Sequence, residues 1–295
     1  VTATNVTAGT AAALNTALGN GDASDVLTLT TVAGTDTAAN LNALDGKTTV
    51  AIAAGATTTI TGSQSDFATL VTTNAATTTL ASDYAATVAG AATAAQVDVV
   101  LADTTGVVTA TNVTAGTAAA LNTALANGNA NDALTLTTVA GTDDISNLVA
   151  LNGKTNVSVV AGDTTTLTDT TNVGADLTAA GITFGASPAI TTGTAATFTS
   201  NQTSHNVAAG NIVNDTNLTL AGSASFAVTG LVGDIVSTNT GGMSVTLAAG
   251  ATNTVGFGTS LGGTHSLNAN ALTNGQVLTL TGSDAATVSF ANGDV

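Results

Sequence analysis

VTATNVTAGTAAALNTAL occupies residues 1–18 and returns, letter for letter, at residues 108–125. The match continues without a gap, Val1 onto Val108, to about residues 61 and 168, and 40 of the first 50 aligned pairs are identical. A chain that copies itself over such a length copies a structural unit. A unit too small to bury its own apolar face buries it against the next one. The duplicated segments are residues 1–62 and 108–169.

Inside the long repeat lies a shorter rhythm. Small turns, mostly Ala-Gly or Thr-Ala-Gly, end at Gly9, Gly34, Gly62, Gly116 and Gly141, and each opens a short segment with Leu at helical spacing. Leu14 and Leu18 stand four apart, as on one helix face, and Asn20-Gly21 closes that segment, Gly21 being free to take a positive φ. Val26-Leu27-Thr28-Leu29-Thr30 then alternates, with Leu27 and Leu29 on one strand face and Thr28 and Thr30 on the other. Successive turns fall about 21 to 28 residues apart, an interval typical of stacked repeats.

From about residue 186 helical spacing fades, and the single proline, Pro188, stands near the change. A weaker repeat appears here, relating residues 205–234 to 265–294 and carrying His205 onto His265, the only two histidines. The sequence predicts a mainly β protein: a repetitive parallel β-solenoid (β-helix), with short helical turns in residues 1–185 and an all-strand part in residues 186–295.

Composition narrows the function. Of 295 residues, 64 are Thr and 59 Ala, only 7% are charged and 2% aromatic, and Cys and Trp are absent. All 18 acids are Asp, the only bases are Lys47 and Lys154, and the net charge is −16. Thiolate metal sites and disulfides are therefore excluded, and basic-patch binding of nucleic acid has no residues to carry it. Apolar runs are interrupted by Thr, Asn, Asp or Gly before the ~18 residues a membrane helix needs, so the chain reads as not membrane-spanning. It opens at Val1 inside a repeat, as expected of a segment of something longer.

Chemistry has few footholds. The two histidines are repeat-equivalent and read as polar residues at turns. Asp143-Asp144 is matched by Asp36-Thr37, and oxygens there fit the start of a short helix. Lys47 and Lys154 sit in the shared segment Gly-Lys-Thr and read as structural, solvated or paired with an aspartate. Catalysis is not expected. Calcium is the one ligand with a candidate set: Asp22 and Asp25 in one loop, Asn129 and Asp132 in its copy, and Asp234 and Asp294 after glycine in the C-terminal part. Calcium takes six to eight oxygens, which Asp, Asn and loop carbonyls supply.

Segments such as NVTAGTAAALNTAL (residues 112–125, and 5–18) and LTLAGSASFAVTGLVGD (residues 218–234) resemble the repetitive regions of bacterial surface-layer proteins and giant secreted repeat adhesins, including those of cyanobacteria and other aquatic Gram-negative bacteria. The resemblance implies export, residence outside the cell on the bacterial surface, and calcium-supported order. The expected function is structural: a self-assembling extracellular building block of a surface layer or fibre. Its partners would be copies of itself and cell-surface polysaccharide. The alternative is the repetitive stalk of a large adhesin.

Overall fold

The computed structural model describes residues 1–161 and, beyond them, 164–168, 175–176, 182–183, 189–191, 196–200, 204–210, 212, 216–249, 253–257, 264–273 and 276–291. The chain is mainly β, and every strand pair among the described residues is parallel. Contacts group it into two compact units. One holds Val1–Ala115, Ala120–Thr137 and Gly153–Val157, and the other holds Gly116–Ala119, Thr138–Asn152 and Ser158–Val295. The last helix among the described residues is Ile145–Asn152.

In the first unit, four short helices each follow a hydroxyl cap. They are α1 (Ala11–Ala17), α2 (Ala38–Asp45), α3 (Gln64–Ala68) and α4 (Ala94–Leu101), capped by Thr10, Thr37, Ser63 and Thr93. At α4 the cap is reciprocal: the Thr93 side chain accepts from the Gln96 amide, and the Gln96 side chain accepts from the Thr93 amide. Each cap stabilises its helix by about 1 kcal/mol. Isolated helices this short do not form, so they persist through their buried stripes: Leu14; Leu41 and Leu44; Phe67; and Val97 with Val100. Asparagines tie one helix to the next. The Asn15 side-chain amide donates to the Asn40 carbonyl at 2.8 Å, and that of Asn42 to the Asp66 carbonyl at 2.8 Å.

Five parallel strands of this unit pair in the order Gly34–Thr37, Thr57–Ser63, Ala85–Ala89, Val108–Ala110 and Ala133–Leu134. Thr2–Ala3 pairs with Val26–Leu27, and Ile52–Ala54 with Thr78–Leu80. Side chains alternate as the sequence predicts, Leu27 and Leu29 buried and Thr28 and Thr30 exposed. Burying a leucine in this way contributes about 1.5–3 kcal/mol.

The two copies of the long repeat keep one register. Thr2 lies opposite Val26 as Thr109 lies opposite Ala133, and Gly9 opposite Thr31 as Gly116 opposite Thr138. Both copies also slip register at the same place, after Gly34 and after Gly141, where φ is +137° and +138°. Only glycine takes that φ without strain.

In the second unit the described strands from Ala196–Ser200 onward alternate between two sheets and pair with the strand two further along. The eight-stranded sheet runs Gly141–Asp144, Thr164–Thr168, Ala189–Thr191, Ser204–Ala208, Ser225–Leu231, Met243–Leu247, His265–Asn268 and Ala286–Ser289. The six-stranded sheet runs Ala175–Asp176, Ala196–Ser200, Asn217–Gly222, Asp234–Ser237, Asn253–Phe257 and Leu278–Gly282. Rows of inward residues form the core. One row on the larger sheet is Val207, Val228, Val245 and Leu267, all buried. The 60-residue repeat is explained by this sheet. His205 pairs with Phe226, Phe226 with Met243 and Met243 with His265, in steps of 21, 17 and 22 residues.

Candidate functional site

The loop aspartates come first, because the sequence nominated them for calcium. Asp25 Oδ1 accepts from the Val1 amino group, and Asp25 Oδ2 accepts from the Asp22 amide at 3.1 Å. In the second copy Asp132 does the same with backbone alone: Oδ1 accepts from the Val108 amide at 2.9 Å and Oδ2 from the Asn129 amide at 3.0 Å. Both carboxylates are buried. The Val1 amino group and the Asp22 amide hold the Asp25 carboxyl below the usual carboxylate range.

Asp22 and Asn129 form matching turns. Asp22 Oδ1 accepts from the Ser24 amide at 2.8 Å, and Asn129 Oδ1 from the Asn131 amide at 2.9 Å. The Ser24 hydroxyl and amide lower the Asp22 pKa. The structure thus brings Asp22 together with Asp25, and Asn129 with Asp132, each pair already engaged with N–H donors.

Asp234 stands in the second unit, where Oδ1 accepts from the Thr254 amide at 2.5 Å. The carbonyls beside it, Val232 and Gly233, are taken by the Asn253 side-chain amide at 2.9 and 2.6 Å. Asp294 lies outside the described residues. Among the described residues no three His or Asp side chains gather as a metal cluster.

The second carboxylate pair is also buried and reaches a helix. Asp36 Oδ1 accepts from the Ala11 amide at 2.9 Å, which opens α1, the helix that precedes Asp36 in the chain. Asp143 Oδ1 accepts from the Ala118 amide at 2.8 Å, at the start of α5 (Ala118–Ala124), and Oδ2 accepts from the Thr164 hydroxyl at 2.8 Å. Thr164 in turn shares a 2.9 Å hydrogen bond with Thr138, as Thr57 does with Thr31. The expectation of helix-start chemistry at these positions holds, but divides between two helices. Thr37 caps its own helix, and Asp144 accepts from the Ser146 amide at 3.0 Å in α6 (Ile145–Asn152), whereas Asp36 and Asp143 serve the previous helix. An anionic oxygen at a helix N-terminus is favoured by the local dipole.

Two further residues were not singled out from the sequence. The Thr48 hydroxyl donates to the Leu27 carbonyl at 2.8 Å and accepts from the Leu27 amide at 2.9 Å. Thr155 repeats both contacts on Leu134 at 2.8 and 2.9 Å. Their signal was present: each follows a lysine in the copied Gly-Lys-Thr. The lysines themselves are half-exposed and fill space over a glycine, since a Cβ on Gly21 would lie 3.5 Å from Lys47 Cβ, and one on Gly128 3.2 Å from Lys154 Cβ. Gly21 is not among the positive-φ glycines, and a Cβ there would make ordinary van der Waals contact with Lys47.

The reading of the histidines as turn residues is corrected. Both are strand residues on the inward row of the larger sheet, 1% and 2% exposed. His205 stacks on Phe226 with centroids 5.8 Å apart, and His265 leans on Phe257 at 5.3 Å. His265 Nε2 lies 3.4 Å from Asp284 Oδ2 but is not aligned for a hydrogen bond. An aromatic pair, rather than a polar turn, explains their equivalence: a flat ring fits the same slot of the row.

Open surfaces are plain. A groove of about 650 Å³ over the larger sheet is lined by Ser204, His205, Ser225, Phe226, Thr240 and Met243 among others, with no carboxylate or ammonium. A second, of about 540 Å³, contains Asp143 and Asp144, whose oxygens are engaged as described. The arrangement is one of repeated internal ties: carboxylates and hydroxyls that satisfy backbone groups of the neighbouring strand or helix. No helix among the described residues is long and apolar enough to cross a membrane. Among known proteins, no family model, no curated protein and no solved structure matches the chain.

Proposed function

We propose that the chain is a structural extracellular protein: a β-solenoid building block that assembles with copies of itself into a bacterial surface layer or fibre. Parallel strands at intervals of about two dozen residues, with sheets that grow by one strand per pass, support the solenoid reading. The single observation that carries the assembly reading is the shared register of the two copies: Thr2 lies opposite Val26 as Thr109 lies opposite Ala133, so each copy extends the stack by the same parallel pairing. Repeated parallel edges of this kind are a template for further pairing.

The rest of the chain suits that role. Almost every charged group resolved near the core ties the repeat to itself, and two lysines leave trypsin-like proteases little to cut. Cell-surface polysaccharide is the second proposed partner. Calcium enters the proposal between molecules, where it would offset the repulsion of chains carrying −16 each.

Negative-stain microscopy of the purified protein, with calcium and then with excess chelator, tests this. Ordered sheets or filaments are expected, and order lost on chelation would assign calcium the bridging role. Single particles in both conditions would overturn the assembly reading and leave an adhesin stalk.

A further inference from the structure

The groove over the larger sheet lies among strands that are paired on both sides. They are Ser204–Ala208, Ser225–Leu231, Met243–Leu247 and His265–Asn268. Ser204, Ser225, Gly242 and Thr264 stand one residue before His205, Phe226, Met243 and His265, the buried row. Alternation turns the neighbouring row outward, and Ser204, Ser225 and Thr264 are exposed. Gly242 interrupts that row, and the space of about 650 Å³ opens around it. No side chain fits at Gly241 or Gly242. A Cβ would lie 2.2 Å from the Ala224 carbonyl oxygen at the first and 2.8 Å from the Thr264 carbonyl oxygen at the second. The gap in the row is therefore fixed by the backbone.

We infer that this recess and the outward face around it bind a neutral polysaccharide of the cell surface through hydroxyl and amide side chains. The inference rests on the polysaccharide partner proposed above and gives that partner a place and a charge.

Charge decides the class of ligand. As far as Ala208, Thr229, Thr246 and Asn268, the outward residues of these strands are Ser, Thr, Asn and Ala, apart from the two glycines. An acidic polysaccharide is repelled by a chain of net charge −16. A cationic one finds no carboxylate in the recess. What remains are groups that both donate and accept hydrogen bonds, the capacity that a sugar hydroxyl complements.

Geometry suits an extended polymer. Asn206, Ala227, Ser244 and Ser266 pair in register, so their side chains recur at the strand spacing of about 4.8 Å. That is comparable with the rise of one sugar residue along an extended glycan. The Ser266 hydroxyl donates to Ser244 at 3.1 Å, so neighbouring oxygens are already ordered. The volume falls within the range of about 300–1,000 Å³ usual for small-ligand sites. The rings of His205 and Phe226 are buried beneath this face, which leaves hydrogen bonds rather than aromatic stacking to hold the sugar. One copy then binds weakly, and an array of copies binds firmly through avidity.

The test is native affinity electrophoresis of the 295-residue chain in gels containing no polysaccharide, hydroxyethyl cellulose (neutral) or alginate (acidic). Mobility relative to the empty gel removes the effects of charge and self-association. Expected is retardation that grows with hydroxyethyl cellulose and none with alginate. Ser225 Oγ lies 3.8 Å from where a Cβ on Gly242 would stand, so Ser225→Glu lays a longer, charged chain over the recess. Its affinity is expected to fall about tenfold, the equivalent of one or two lost hydrogen bonds. Val236→Glu adds the same charge at an exposed position of the other sheet and is expected to match the wild type. Unchanged melting checks folding. Should Ser225→Glu melt early, Thr264→Glu, on the other side of Gly242, replaces it. Recess variants that bind like the wild type, a Val236→Glu that binds as weakly as they do, or equal retardation by alginate would overturn this site while leaving a polysaccharide partner standing. A wild type retarded by neither polymer would overturn both, and self-assembly would stand or fall separately by microscopy.

Discussion

Asp143→Ala is the substitution whose cost the structure specifies best. The carboxylate is 4% exposed and holds two groups at once, the Ala118 amide at 2.8 Å and the Thr164 hydroxyl at 2.8 Å. Alanine leaves the buried amide without a partner, which costs about 1–3 kcal/mol. It also removes an anion from a helix start, worth about 0.3–1 kcal/mol. Thr164 keeps its 2.9 Å bond to Thr138 and loses little. The expected loss is about 2–3 kcal/mol, a fall of roughly 3–5 °C in the melting temperature of a 295-residue chain. Asp143→Asn separates the causes, because its oxygen still accepts from Ala118 while its NH2 meets a hydroxyl that accepts. It is expected to lose less than half as much. Melting followed by circular dichroism reads both. A fall below 1 °C for alanine, or equal falls for both variants, would refute the reasoning.

Other consequences are equally direct. Gly106→Ala places a Cβ 2.3 Å from the Tyr84 carbonyl oxygen and 2.5 Å from that of Asp83, so backbone has to move; about 1–3 kcal/mol of stability is expected to be lost in urea denaturation. Gly55→Ala, with nothing within 4 Å, is the control and is expected to be neutral or slightly stabilising. The Asp25 carboxyl has a folded pKa below its unfolded value of about 3.9, so its contribution is present above that value and lost as pH falls through the folded one. The urea midpoint difference between wild type and Asp25→Asn is therefore expected to hold from pH 7 to 5 and to shrink below about pH 4; a difference that grows on acidification would contradict this. Phe67→Ala, at a fully buried position of α3, is expected to cost about 3–5 kcal/mol, and a loss under 1 kcal/mol would mean that the helices are not part of the core.

The local patterns of the fold were legible because they are local. Leu27 and Leu29 alternate with Thr28 and Thr30, and the strand buries and exposes them accordingly. Leu14 and the side-chain oxygens of Asp36-Thr37 announce helices within a few residues, whereas the cap at Thr10 is seen only in the structure. Contacts between neighbouring strands were not legible, since nothing near Asp36 says that its partner is the Ala11 amide 25 residues earlier. The same holds for Thr48 and Leu27, 21 residues apart. Identity between copies flagged these positions without naming their partners. Gly21 looked like a device for positive φ, and it is not among the positive-φ glycines. His205 and His265 looked polar because histidine usually is; a place opposite Phe226 and Met243 makes each a core ring. For the calcium set, the sequence places Asp22 and Asn129 in equivalent loops, while the backbone amides of Ser24 and Asn131 that donate to their oxygens carry no letter in the sequence.

The proposed function has this chain associate with copies of itself through parallel pairing. Static light scattering of the wild-type chain across a hundredfold range of concentration measures that most directly. A weight-average mass that starts near 28.0 kDa and climbs steadily with concentration is the predicted result. A mass fixed at the monomer value throughout would contradict the account.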